Sequence, residues 1–455
     1  MYDIGIEGGT LVGPAARART NVYIADGRVA AVDDERRIAR ERFDASGLLV
    51  MPGMIDAHVH FMEPSASERE DFAHGSAAAL RAGVTTFIEH THSGPIRTRD
   101  ELRDKAAFVE GRSRTDFALG AHAWPGEADL AEEAWLAGAA FIKAFMCTTH
   151  GVPGHDAAQL LELLSRLAPH RGVVLVHCED ESLTRLAEQM LRETGRSDGG
   201  VIPAWRSREA ELVAVATATV LARRTEARLV VAHASSEEVV DLAHREGHDG
   251  SPVIETCPQY LTLLEEGIFA DPGLRKFTPP ARARDATDLD RMWAALADGR
   301  IDYVSSDHAP STRAQKRDGS IWDVHFGVPG IDTTMAVLLN GAAAGLITYE
   351  RLVEVYSAVP SRVYGLVRKG RLDVGADADV AIVDPTQRWR ISDEEIRSKA
   401  GWSPLSRMEI TGRVVRTYSR GELVMENGTV MADPGRGKHL LAERVGDLEQ
   451  SVKSN

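Results

Sequence analysis

His58 and His60 stand two residues apart at the close of Pro52-Gly53-Met54-Ile55-Asp56-Ala57-His58-Val59-His60. In an extended strand, residues i and i+2 point to one face, so both imidazoles can reach a single point. Similar residues recur where later apolar runs end. His177 follows Val173-Val174-Leu175-Val176, His233 follows Leu229-Val230-Val231-Ala232, and Asp307 follows Tyr303-Val304-Ser305-Ser306. Four imidazoles and one carboxylate suit a borderline divalent ion such as Zn²⁺, with Mn²⁺, Fe²⁺ and Co²⁺ as the other options.

Lys143 lies inside Phe141-Ile142-Lys143-Ala144-Phe145-Met146, an otherwise apolar run. An ammonium in such a strand is costly to bury, and burial pushes it toward the neutral amine. A neutral amine can add carbon dioxide and become a carbamate, an anion with two oxygens that can bridge two cations. A buried partner carboxylate would satisfy the same lysine; the surrounding histidines favour the carbamate.

These side chains need elements that bring them to one place. Strands are predicted at 54–60, 84–90, 117–124, 140–146, 173–178, 229–234, 253–257 and 301–306. Helical stretches are predicted between them, among them 71–81, 100–110, 156–167, 209–224 and 236–246. Eight such units across residues 53–364 fit an α/β fold of the (β/α)8 TIM-like barrel type, whose strand ends meet at one mouth. A doubly wound open sheet is the competitor, weakened by the lack of a G-x-G-x-x-G or phosphate-binding loop after an early strand. The two ends of the chain differ from the middle. Asp26-Gly27 and Asn427-Gly428 each join short β-rich runs, a hairpin signal. Neither end has enough strands to stand alone. Residues 1–52 and 365–433 are therefore expected to form one small β-sandwich around the inserted barrel, with 434–455 as a polar tail.

Composition narrows the partners. The 455 residues carry 53 Lys plus Arg against 68 Asp plus Glu, a net charge of −15, which argues against a nucleic-acid binder. Three cysteines are too few for a disulfide scaffold. No apolar run approaches a membrane span, and the start, Met1-Tyr2-Asp3-Ile4-Gly5, does not read as a signal peptide. A cytoplasmic protein with no membrane partner is expected.

Together, Pro52–Pro64, Lys143–Met146, Val176–Asp180, Ala232–Ser236, Glu255–Tyr260, Ser306–Pro310 and Lys399-Ala400-Gly401-Trp402-Ser403-Pro404 resemble the amidohydrolase superfamily. The resemblance is closest to its cyclic-amidohydrolase branch of dihydroorotases, allantoinases and hydantoinases. It implies two divalent metal ions: one on His58, His60 and Asp307, the other on His177 and His233, with carboxylated Lys143 and a hydroxide between them. It implies that Asp307 is the catalytic general base and acid in the hydrolytic opening of a cyclic amide, imide or ureide. Homo-oligomers, dimers or tetramers, are common among such proteins.

The chain departs from each branch around the substrate. Dihydroorotases usually carry Arg where Met62 stands and Asn where His92 stands, and Met62 cannot make a charged, bidentate bond. Hydantoinases usually carry Tyr where Thr148 stands. Allantoinases usually carry Cys-Pro-His where this chain has Cys257-Pro258-Gln259, and often Asn at position 62. Met62, His92 and Gln259 are therefore expected to line a pocket for an uncharged or differently substituted ring. His90 could touch substrate or simply pack. His150 and His155 fall in a loop that reads as surface or lid. Asp56 shares the face of His58 and could orient an imidazole. The competing functions are a lactonase or acyclic deacylase on the same scaffold, and a non-catalytic dihydropyrimidinase-like scaffold; the complete ligand set argues against the latter.

Overall fold

The computed structural model describes residues 1–248 and 250–442. The chain is an α/β protein with parallel sheets in its middle. Met54–Val59, Val84–Glu89 and Asp116–Leu119 form one three-stranded parallel sheet. Ala121–His122, Ile142–Phe145, Val173–His177, Arg228–Val231, Val253–Thr256 and Tyr303–Val304 form a six-stranded one, again parallel and in chain order. A doubly wound sheet would reverse its strand order partway; neither parallel sheet does. Nearly every residue of these strands is buried, as expected where both faces are covered, so they read as continuous apolar runs.

The two parallel sheets meet at Gly120. Its N–H donates to Glu89 O at 2.9 Å, and Ala140 N–H donates to Leu119 O at 2.8 Å. A Cβ on Gly120 would fall 2.3 Å from the Phe141 ring, so only glycine allows this approach. At the other edge, His60 N–H donates to His308 O at 2.8 Å, and Val59 and His308 pair as a parallel bridge.

The connecting helices follow sequence logic. Ala157–Leu167 is capped by Asp156, whose carboxylate accepts from Gln159 N–H while Gln159 reaches back in a capping box. It buries Leu160, Leu163, Leu164 and Leu167, the i, i+3, i+4, i+7 stripe. Among the described residues, no helix is long and apolar enough to cross a membrane.

Strands from both chain ends join one nine-stranded sheet. Leu49–Pro52 links them, pairing parallel with Tyr2–Val12 and antiparallel with Val380–Arg390. Both hairpin signals are realised: Asp26 and Gly27 take φ of 53° and 74°, Asn427 and Gly428 φ of 47° and 80°, the left-handed pair that a type I′ turn requires. This sheet has a separate core in which Ile6, Val22, Ile24, Val380 and Ile382 meet.

The start of the expected tail proves to be docked. Gly437 N–H donates to Ser113 O, Phe117 N–H to Lys438 O, and Leu440 N–H to Phe117 O. His439 stacks on Phe117 with ring centroids 5.3 Å apart. Polar composition hid this, because the segment is held mainly by backbone hydrogen bonds. Residues 443–455 lie outside the described residues.

Candidate active site

All six predicted ligands line one pocket: His58, His60, Lys143, His177, His233 and Asp307. The histidines and Asp307 stand at or just past the C-terminal ends of parallel strands, where a barrel collects chemistry, and Lys143 lies within the strand Ile142–Phe145. His233 and Asp307 take left-handed backbones, with φ of 40° and 46°. Such strain in non-glycine residues costs about 1–3 kcal/mol and concentrates at functional sites.

The hydrogen bonds determine which atoms face the pocket. His58 Nδ1 lies 2.7 Å from Glu255 Oε1, and His60 Nδ1 lies 3.0 Å from the His90 carbonyl. Carboxylates and carbonyls only accept, so both Nδ1 atoms carry the proton. Both Nε2 atoms then present lone pairs, and they converge on Asp307 Oδ1 at 3.3 and 3.2 Å. With the imidazoles neutral, three acceptors meet there, an arrangement that a bound cation or a proton on one Nε2 relieves. The second pair differs, because His233 Nε2–H can donate to His177 Nδ1. His177 Nε2–H donates to Glu179 Oε2 at 2.7 Å, so its Nδ1 lone pair faces His233 Nε2 at 3.0 Å.

Lys143 stands between the two groups, buried, and its Nζ has no hydrogen-bond partner among the described residues. Burial drives its pKa down to about 8, against the upward pull of Glu255 and Asp307. Burial also works to raise the Asp307 carboxyl, but His58 and His60 outweigh it and hold it below the ordinary range. Burial and Lys143 both push His58 down, toward the neutral imidazole that can act as a ligand. The donor set therefore fits divalent metal: neutral imidazoles, a carboxylate and an orphaned amine.

Several contributors were not singled out from sequence. Glu255 orients His58, and its other oxygen accepts from Tyr303 Oη at 2.7 Å; Tyr303 Oη lies 2.6 Å from Tyr364 Oη. Glu179 orients His177 and is held by Arg206 at 3.3 Å and Thr278 Oγ1 at 2.6 Å. Arg206 also donates to Cys147 Sγ at 3.0 Å. A signal existed for both acids. Glu255 is a lone charge in an apolar strand, as Lys143 is, and Glu179 is two residues beyond His177.

The predicted substrate residues separate. His92 lines the pocket and stacks on His150, with centroids 4.0 Å apart and an interplanar angle of 26°. His150 is thus drawn inward, whereas the sequence placed it on a surface or lid loop. His155 is buried too, its Nδ1 3.2 Å from the Phe145 carbonyl. Met62 and Gln259 are buried but are not among the described lining residues. Thr91 Oγ1 contacts the Met62 sulfur at 3.6 Å, and the Gln259 amide nitrogen has no partner among the described residues. His90 packs edge-on against Phe141 at 4.9 Å. Asp56 orients no imidazole: it accepts from Ser306 N–H at 2.9 Å and Tyr356 Oη at 3.1 Å, because Glu255 already occupies His58 Nδ1.

Phe145, Thr278, Ala309, Phe326 and Gly327 complete the pocket. Gly327 has φ of 104°, and a Cβ there would fall 2.4 Å from Ala309 O, so the loop closes only on glycine. Lys316 Nζ pins this loop by donating to the carbonyls of Lys276, His325 and Gly327 at 2.7–2.8 Å. Trp402 is buried and donates to Ser311 O at 2.8 Å, so Lys399–Pro404 braces the loop from below.

Parallel strands ending in this cluster define a metal-assisted hydrolase class. Comparison with known proteins agrees. Residues 49–424 match the amidohydrolase family. The chain is 35% identical to an allantoinase of Rubrobacter xylanophilus over 95% of this chain and 96% of the relative. It is 34% identical to a dihydroorotase of Halobacterium salinarum, covering 92% and 99%. The L-hydantoinase (dihydropyrimidinase) structure from Arthrobacter aurescens superposes with a TM-score of 0.92 at 30% identity, covering 97% of this chain and all of that one. The chain belongs to the amidohydrolase family.

Proposed function

We propose that this enzyme is a metal-dependent cyclic amidohydrolase that opens the ring of an uncharged cyclic ureide, amide or imide. The observation that carries the reading is the convergence of His58 Nε2 and His60 Nε2 on Asp307 Oδ1 at 3.3 and 3.2 Å, in one pocket with the unpartnered Lys143 Nζ. His58, His60 and Asp307 would hold one ion, His177 and His233 a second, and carboxylated Lys143 would lie between them; Zn²⁺ fits these donors best. Bound divalent cations lower the pKa of water and polarise a substrate carbonyl.

The remaining steps belong to the side chains. The Asp307 carboxylate accepts the proton of the attacking water and returns it to the departing ring nitrogen. Against the push of burial, His58 and His60 hold its pKa below the ordinary range, so it is ionised at neutral pH. Glu255 and Glu179 hold the His58 and His177 rings by their far nitrogens, so the facing nitrogens stay deprotonated. Phe145, Phe326, His92 and His150 wall the pocket with flat rings, and no arginine is among the described lining residues. A ring bearing a carboxylate would find no bidentate partner there. Met62 and Gln259 would act from behind this wall, shaping the His92 side and offering the free amide nitrogen of Gln259.

The same reading completes the architecture. With Asp116–Leu119 and Ala121–His122 counted as one strand broken at Gly120, the His60–His308 and Leu119–Ala140 bonds support an eight-stranded closed barrel over 53–364. Residues 1–52 and 365–433 would form the β domain, and a homo-oligomer in the cytoplasm is the expected setting. The test is a panel of allantoin, hydantoin, dihydrouracil, dihydroorotate, a cyclic imide and a matched lactone on metal-loaded enzyme. Turnover of an uncharged lactam ring is expected. Preference for dihydroorotate would refute the pocket argument, and preference for the lactone would refute the reaction.

A further inference from the structure

A second, larger cavity of about 1240 Å³ opens at the opposite end of the parallel strands. Arg171 lies two residues before the strand Val173–His177, and Arg228 opens the strand Arg228–Val231, two residues beyond whose end stands His233. At about 3.3 Å per residue, Arg228 and His233 lie roughly 16 Å apart, so this cavity is separate from the active site. Its walls come from four places: Val12 of the terminal sheet, Trp135 of a helix, Val363 at the end of the helix Val359–Val363, and Leu372 and Val374 beyond that helix.

The charge at its rim is unbalanced. Five cationic Lys and Arg side chains and one acid, Asp373, line it. Lys369 is consumed by Asp116, Asp377 and Asp379 at 2.6–3.1 Å, and Arg371 by Asp373 at 3.6 Å. Among the described residues, Arg171, Arg228 and Arg362 have no carboxylate within ion-pair distance. Among the described residues, the Arg228 guanidinium donates to the carbonyls of Arg171 and Val363, at 3.3 and 3.0 Å. Burial and the adjacent Arg171 both disfavour its charge. Arg171 itself is held at φ of 51°, a strained backbone that places it beside Arg228. Unneutralised guanidinium groups beside an apolar wall match a ligand with an anionic head and a hydrocarbon body.

We propose that this cavity is a binding site for an aliphatic monocarboxylate, with its head on Arg171, Arg228 and Arg362 and its chain along Val12, Val363 and Leu372. This inference does not depend on the proposed reaction. Ala442, the last described residue, also lines the cavity, so residues 443–455 are the rival occupant; they include Glu443, Asp447 and Glu449 beside Val445 and Leu448.

The test is calorimetric titration of the full-length protein with decanoate and with 1-decanol. Saturable binding of one decanoate per chain is expected, at least tenfold tighter than decanol. R362A, at an exposed position, and R228A should each weaken decanoate at least tenfold. Absent binding, equal affinity for the alcohol, or indifference to both substitutions would overturn the site. Binding only after deletion of residues 443–455 would also overturn it, by showing that the chain fills its own cavity.

Discussion

The two halves of the metal cluster are built differently. Around His58, the orienting carboxylate Glu255 is backed by neutral tyrosines, Tyr303 and then Tyr364. Burial raises Glu255, with these hydrogen bonds working against it. Around His177, the orienting carboxylate Glu179 is backed by the buried Arg206 guanidinium. Burial would raise Glu179, yet Arg206 and His177 carry it down to about 2. The lesson is that one geometric task, fixing an imidazole by its far nitrogen, is done once by a neutral relay and once by a charged triad. In the first half, loss of the carboxylate charge leaves Lys143, which can shed its own proton, as the neighbouring cation. In the second half, the same loss leaves Arg206, which cannot.

The largest effect tests the chemistry that both halves serve. Asp307→Asn should lower kcat by on the order of 10²–10⁴, the usual span for a general acid–base group, with little change in Tm. Steady-state kinetics and calorimetry on the same sample check this.

Next come the two carboxylates. Glu179→Gln leaves Arg206 buried without an anion and should cost about 3 kcal/mol or more in denaturant unfolding of the metal-free protein. Glu255→Gln should cost less stability but weaken metal affinity about 10–100-fold. Competition with a chelator reads the affinity. If both variants lost stability equally, the contrast between relay and triad would fail.

Acid should separate the halves in the same sense. Glu179 has an ordinary pKa of 4.5 and a folded value of about 2. A depressed carboxylate contributes stability that is complete above pH 4.5 and is lost as pH falls from there toward about 2. The stability difference between wild type and Glu179→Gln should therefore shrink across that window. A difference independent of pH would show that Glu179 is not held ionised by Arg206.

The smallest effect belongs to the tyrosine. Tyr303→Phe removes one hydrogen bond to Glu255, worth about 1 kcal/mol. Metal affinity should fall less than tenfold, because Glu255 keeps His58.

Much of this was legible because strand periodicity is strict. His58 and His60 at i and i+2, and His177, His233 and Asp307 after apolar runs, could be placed at one mouth without coordinates. Both hairpins announced themselves through Asp26-Gly27 and Asn427-Gly428. What stayed hidden depends on long-range contacts. Glu255 meets His58 across 197 residues of chain, and no local pattern pairs them. His150 reads as loop until it stacks on His92. Asp56 shares the face of His58, but Ser306 and Tyr356 claim it first. Residues 434–442 look like a polar tail because their hold on Ser113 and Phe117 runs through backbone atoms.

The most direct test of the account is anomalous diffraction from crystals of the Zn²⁺-loaded protein. Two peaks are expected, one among His58, His60 and Asp307 and one between His177 and His233, with density extending beyond Lys143 Nζ toward both. A single ion among Cys147, His177 and Glu179, whose donor atoms also lie within 4.8 Å of one another, with bare Lys143, would contradict it.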